Sequence, residues 1–217
     1  MDIERLYEDR YQAVSQIKRK QVWAILVDRV FQRWIPREGR VLDLGAGSCE
    51  FINSVRARER WALDASARIS ENADREVRCL VGTWERLREL EEKSFDAVFA
   101  SNVFEHLPSP EALADCLRAV RRLLRDGGCL IVMGPNIKFG YREYWDFADH
   151  RLPLSHQTVL EHLVNAGYVV VECRPRFLPY SFTGRLPATG WLVRLYLRLP
   201  LAQRILGKQF LIVARRT

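Results

Sequence analysis

No run of residues in this sequence approaches the roughly 20 consecutive apolar positions that a membrane-spanning helix needs. The opening stretch MDIERLYEDR is charged and lacks the apolar core of a signal peptide. The five cysteines (Cys49, Cys79, Cys116, Cys129, Cys173) stand singly, form no CxxC pair and are odd in number. That argues against a disulfide framework or a zinc site, and for a reducing, cytoplasmic setting. Acidic residues are missing from one region. Between Arg174 and Thr217 there are nine Lys or Arg and no Asp or Glu, although the whole chain carries 34 basic and 27 acidic residues. Positions 1–173 are therefore near neutral and the remainder is strongly basic. Such asymmetry suggests an anionic partner or a solvated basic face. Repeats and low-complexity segments are also lacking. What is there, 217 residues at 48% hydrophobic and 28% charged, suits one globular domain.

The pattern alternates strands and helices. Residues 11–34 read as a helix whose stripe is Val22, Ile25, Leu26, Val30 and Trp34, ended by Pro36 and Gly39. Short apolar runs predict strands at Arg40–Leu44, Arg60–Leu63, Glu76–Val81, Phe95–Ala100, Cys129–Met133, Tyr168–Cys173 and Gln209–Ala214. Residues 48–56 can be a helix. Ser109 caps another, with Pro110 at its first position and Leu113, Cys116, Leu117, Val120 and Leu124 inward. Asp126-Gly127-Gly128 reads as the turn into strand five. Ser155 can cap a helix ending at Gly167, with Val159, Leu160, Leu163 and Val164 inward. Alternation of this kind predicts an α/β fold with a parallel sheet covered on both faces, and a ligand beyond the carboxyl ends of the strands.

The residues just after each strand are therefore the ones to inspect. Strand one runs into VLDLGAGSCEF, where Gly45 and Gly47 allow a sharp turn and close approach of a ligand. The dinucleotide frame GxGxxG is broken, because Glu50 stands at its third position. An acid there disfavours a pyrophosphate and tolerates a cation. Asp64, 19 residues after Gly45, ends strand two in WALDAS and can accept hydrogen bonds from ribose hydroxyls or simply cap a turn.

These segments, with FDAVFASNVFEHLPSP and LLRDGGCLIVMGPN in the same order, resemble the class I S-adenosylmethionine (SAM) dependent methyltransferases. The likeness covers about residues 37–173 and is nearest the ubiquinone-type small-molecule group. It implies a Rossmann-like sheet of seven mostly parallel strands with the last one antiparallel. It implies SAM as cofactor. Gly45, Ala46 and Gly47 would pass beneath its methionine part, Asp43 would reach its ammonium group, and Asp64 with Ala65 would hold the ribose. Thr83 and Trp84 would flank the adenine, and Ser101 and Asn102 would approach the methionine end. Cys49, where many relatives carry a third Gly, and Thr83, where many carry Asp, depart from the pattern. Within this frame residues 1–36 form a helical cap, 37–173 the SAM-binding core, 174–208 a basic amphipathic insert and 209–217 the last strand.

For the acceptor, Ser101-Asn102-Val103-Phe104 lacks the Asn/Asp-Pro-Pro-aromatic pattern of nucleic-acid amino-methyltransferases, so a small molecule is expected instead. His106, His150 and Asp146 are the candidate catalytic groups, a base being needed for a hydroxyl acceptor. A packed loop histidine and a satisfied Asp–His pair are the bland alternatives. Tyr141, Tyr144, Trp145 and His150 form an aromatic, polar-tipped segment suited to a ring-bearing substrate. No resident metal is expected, since Asp149 and His150, being adjacent, converge poorly on one ion with Asp146. The segment 185–208 interleaves Trp191, Leu195 and Leu199 with Arg194, Arg198 and Arg204, as an interfacial helix or a packed or dimerising element would. That tail, with YWDFADH and PLSH, resembles methyltransferases of bacterial polysaccharide and glycolipid pathways. The expected reaction is methylation of a sugar hydroxyl on a glycan or lipid-linked intermediate, at or near a membrane surface. A free aromatic or quinone-like acceptor, and a non-catalytic scaffold, are the competing readings.

Overall fold

The fold is a computed structural model that describes residues 16–180 and 189–217. Its centre is a sheet of seven strands: β1 (Arg40–Leu44), β2 (Glu59–Asp64), β3 (Val77–Val81), β4 (Phe95–Ser101), β5 (Leu124–Pro135), β6 (Tyr168–Arg174) and β7 (Gln209–Arg216). Their spatial order is β3-β2-β1-β4-β5-β7-β6. Every pairing among β1 to β5 is parallel, and β7 runs antiparallel to both β5 and β6. Both faces of the central strands are apolar because helices cover both. On β4, Ala97 and Phe99 enter one core while Phe95, Val98 and Ala100 enter the other. On β7, Leu211 and Val213 alternate in the same way with Phe210, Ile212 and Ala214.

The first face is covered by α1 (Gln16–Leu26), which continues as a π-turn over Val27–Phe31 and a 3-10 turn over Gln32–Trp34. The expected 11–34 helix is thus not regular, and positions 11–15 lie outside the described residues. The wider π-turn shifts the inward stripe by one position. Val22, Ile25, Leu26 and Val30 are buried as expected, but Phe31 and Ile35 carry the stripe on, leaving Trp34 only partly covered. Phe31, Phe51 and Phe99 meet as an aromatic cluster, with Phe51 stacked on Phe99 at 3.8 Å. Residues 48–56 yield only a short helix, α2 (Glu50–Ser54), followed by α3 (Ile69–Asn72).

The second face is covered by α4 (Pro110–Leu123) and, after the short α5 (Tyr141–Tyr144), by α6 (His156–Asn165). Ser109 Oγ accepts from the Ala112 amide and Ser155 Oγ from the Thr158 amide, each satisfying a donor that the helix start leaves orphaned. On α6 the buried residues are His156, Val159 and Leu163. Val164, expected inward, is 62% exposed, because the helix turns the neighbouring stripe to the sheet. Strand five begins earlier than expected. Leu124 already pairs with Phe95, and Gly127 at φ +78° takes up an irregularity inside β5 rather than a turn before it. The basic insert forms two helices, α7 (Gly190–Arg198) and α8 (Pro200–Leu206), because Pro200 cannot continue the first one. Positions 181–188 lie outside the described residues. No described helix is long and apolar enough to cross a membrane.

Candidate active site

The chain leaves β1 toward β2 and β3 on one side, then returns to β4 on the other. A crevice therefore opens at the carboxyl ends of β1 and β4, where such sheets take ligands. The turn after β1 is built by left-handed backbone at Gly45 (φ +74°) and Gly47 (φ +50°). The amides of Gly45 and Ala46 both donate to Leu63 O, at 2.8 and 3.1 Å. A Cβ on Gly45 would collide with Val103 Cγ2, so the first turn presses directly on the loop after β4. A Cβ on Gly47 would meet nothing within 4 Å, so this side of the turn faces open space.

Asp64 holds that turn. Its Oδ2 accepts from the Gly47 amide at 2.8 Å and its Oδ1 from the Ser66 amide at 2.9 Å. Each carboxylate oxygen keeps lone pairs for a further donor. Asp43 is buried, and its carboxyl is held well above the usual range by burial, then by the charges of Asp64 and Glu50. Glu50 is tied back to α1, with Arg19 Nε 2.9 Å from its Oε1, while Arg19 Nη2 donates to Ser48 Oγ at 3.4 Å. Cys49 is buried at φ +62°, a conformation glycine adopts most easily. Burial pushes its thiol up to about 12, so it stays protonated and is no nucleophile at neutral pH. A turn lined by Asp43, Glu50 and Asp64 suits a ligand that carries positive charge, such as a sulfonium and an ammonium group, and repels a pyrophosphate.

The other expected cofactor residues border the same crevice. The Gly82 amide donates to Asp64 O at 2.7 Å, which places Thr83 and Trp84 beside the strand-two tip. Thr83 is exposed and its hydroxyl bonds the Glu85 carboxylate. Trp84 opens a 3-10 turn (Trp84–Glu89) and is half-buried. Ala65 is exposed. After β4, Asn102 adopts φ +54°, its amide donates to Met133 O at 2.9 Å, and its side chain donates to Ser101 Oγ at 3.0 Å.

A second constellation lies just beyond β4. Glu105 O accepts from the amides of Arg151 (2.8 Å) and Leu152 (3.1 Å), which folds the 141–152 segment onto the β4 loop. His106 Nδ1 is 3.1 Å from Asp149 O and 3.4 Å from Asp149 Oδ2. The His106 and His150 rings are 5.1 Å apart, and His150 stacks on Phe147 at 5.0 Å. Glu105, only 2% exposed, is pushed up to about 7 by burial, with His106 acting the other way and Asp149 adding to it. His106 and His150 thus come together, and the carboxylate beside His106 is that of Asp149. Asp146 sits exposed, its amide on Glu143 O at 3.3 Å. Tyr141 and Trp145 are exposed, so they are available to a ligand. Tyr144 is fully buried, with its hydroxyl donating to Leu152 O and accepting from the Leu154 amide, and it pins the segment instead of facing a substrate.

Glu105 and Arg19 are absent from the sequence-derived site, and Asp149 entered it only as half of an Asp–His pair or as a discounted metal ligand. Glu105 stands beside His106, so adjacency is the signal that could have found it. Asn136 was also missed. It is fully buried in the MGPN motif, and its side-chain amide contacts His156 Nδ1 (3.0 Å) and Pro175 O (2.8 Å).

A glycine turn between acidic strand tips, on a sheet with one reversed strand, is a Rossmann-like framework. Residues 42–132 match the family model described as a methyltransferase domain. No curated protein matches the sequence. Among solved structures, a SAM-dependent methyltransferase from Archaeoglobus fulgidus superposes with a TM-score of 0.70 at 19% identity, over 99% of this chain and 100% of that one. A SAM-dependent methyltransferase from Thermotoga maritima, described as a possible histamine N-methyltransferase, gives 0.68 at 21% identity over 98% and 95%. A geranyl diphosphate methyltransferase solved in complex with SAM gives 0.62 at 16% identity over 91% and 85%. Residues 42–132 thus carry a methyltransferase domain, and the whole chain has the fold of the class I SAM-dependent methyltransferases.

Proposed function

We propose that the enzyme methylates a hydroxyl on a glycan or lipid-linked intermediate presented at an anionic membrane surface. When bound, SAM supplies a methyl group on a sulfonium: the acceptor oxygen bonds to that carbon, the carbon–sulfur pair stays on sulfur, and the hydroxyl proton leaves. Asp43, Gly45, Ala46, Gly47, Asp64, Ala65, Thr83, Trp84, Ser101 and Asn102 are the residues assigned to hold it. The chain's own contribution to the chemistry is alignment, exclusion of water and control of the acceptor proton. His106 and His150 are assigned to that proton, with Asp146 at the rim. Tyr141 and Trp145 are assigned to the acceptor.

The observation that carries the acceptor reading is the position and surface of α7 and α8. Gln209 pairs with Pro135, so the antiparallel β7 starts where β5 ends. The helices that lead into β7 therefore lie at the ligand-bearing edge. Val193 packs into the core, and Tyr196 donates to Phe177 O at 2.8 Å. Trp191, Leu195, Leu201 and Ile205 remain exposed, at 64, 45, 68 and 61%. Arg194, Arg198 and Arg204 are exposed among them. Apolar side chains interleaved with arginine, with no acid in either helix, favour the boundary of an anionic bilayer.

The test supplies purified protein with methyl-labelled SAM and an extract of its source cells, then partitions the products. Label in the organic phase is expected. Label confined to the aqueous phase would refute the lipid-linked acceptor and recast α7 and α8 as a packing or dimerising element. The same outcome would favour a soluble glycan or a free small molecule.

A further inference from the structure

Three side chains beyond β4 form a set that general acid–base chemistry does not fully explain. Glu105, His106 and His150 each offer one ligand atom, and these atoms all lie within 4.8 Å of one another. Glu105 is a buried carboxylate, and among the described residues the charged neighbours that act on it are His106 and Asp149, with no Lys or Arg. A carboxylate withdrawn from water needs a cationic partner or a proton. We propose that Glu105, His106 and His150 bind a first-row divalent transition-metal ion, which acidifies the acceptor hydroxyl.

The orientation of His106 supports this. Its Nδ1 lies against both the carbonyl and the carboxylate of Asp149, so the neutral ring donates there and turns Nε2 out as an acceptor. That carboxylate–histidine arrangement is how proteins fix the tautomer of a metal-bound imidazole. The donor set, two imidazole nitrogens and one carboxylate, suits zinc, iron, cobalt or manganese rather than magnesium or calcium, which prefer all-oxygen surroundings. Ligand atoms around one such ion sit roughly 3–3.5 Å apart when the bonds are about 2.1 Å long, so side-chain rotation must close the set slightly. Three protein ligands leave positions open for the acceptor oxygen; with the ion bound, His106 and His150 serve as its ligands instead of taking the acceptor proton, which passes to solvent. The backbone bonds from Arg151 and Leu152 to Glu105 O hold the two halves of the site together.

This rests on the hydroxyl-acceptor reading, and the experiment separates the two. Chelator-treated protein is titrated with cobalt(II) alone and followed by visible absorption, with no SAM or acceptor present. One ion per chain is expected, with the weak bands of nitrogen and oxygen ligands and without thiolate charge-transfer absorption. Glu105→Gln, His106→Ala and His150→Ala should each weaken binding at least tenfold, while S-adenosylhomocysteine still binds, which reports that the fold is intact. No stoichiometric binding, thiolate absorption, or affinity unchanged in all three variants overturns the metal site and leaves the methyltransferase reading standing. Cobalt binding as expected, with no O-methylated product found in the labelling experiment, keeps the site and overturns the hydroxyl acceptor.

Discussion

The Gly47 amide donates to Asp64 Oδ2 at 2.8 Å, so the carboxylate assigned to the ribose also braces the turn assigned to the methionine part of the cofactor. Asp64→Ala removes both functions. S-adenosylhomocysteine affinity should fall at least tenfold, or about 1.4 kcal/mol, and the melting temperature should fall with it. Calorimetric titration checks the first. Unchanged affinity would remove Asp64 from the cofactor site.

Gly45 and Gly47 share left-handed backbone but differ in their surroundings. Gly47→Ala meets open space and should cost only the backbone strain, about 1–2 kcal/mol. Gly45→Ala adds a collision with Val103 and should cost about 3 kcal/mol or more. Val103→Ala in the Gly45→Ala background should recover the collision and not the strain. Denaturant melts rank the variants, and equal losses for the two glycines would contradict this account.

Arg19 and Glu50 have side chains only 13 and 12% exposed, so their pairing lies between the surface and buried limits. Arg19→Ala should cost about 2 kcal/mol, because it leaves Glu50 near Asp43 and Asp64 without its counter-charge. A double-mutant cycle with Glu50→Ala should show coupling of about 1 kcal/mol. Additive losses would mean that the pair contributes nothing.

The Asp43 carboxyl is raised by burial and by its acidic neighbours, which sets the sign of a pH effect. Below about pH 4 both folded and unfolded chains hold the proton, and this group brings no penalty. As pH rises, the unfolded chain releases its proton first, so stability falls until the folded carboxyl ionises. Asp43→Asn should therefore stabilise the cofactor-free protein, by more at pH 7 than at pH 4, while weakening SAM binding. Urea melts at the two pH values decide, and an equal gain at both would refute the assignment.

The seven strands and the glycine turn were legible because each is a local pattern: an apolar run, a breaker, an acid at a strand tip. The pairs that complete the site are not local. Arg19 meets Glu50, and His106 meets Asp149, across stretches that only the folded sheet closes. The aromatic segment was legible as a group but not ring by ring. Tyr144 turns inward because its hydroxyl finds both Leu152 and Leu154, whereas Tyr141 and Trp145 stay out. The π-turn at Val27–Phe31 likewise leaves no mark in a helical periodicity.

Among the described residues, strand β6 bonds to no strand other than β7, which follows it after α7 and α8. On the ribosome, β6 therefore emerges with nothing to pair with and waits for a later segment to be synthesised. Long-range pairings of this kind are slow, because chain closure must come before the bonds that reward it. Between the two strands in sequence lie α7 and α8, which lead the chain to the end of β5, where β7 begins.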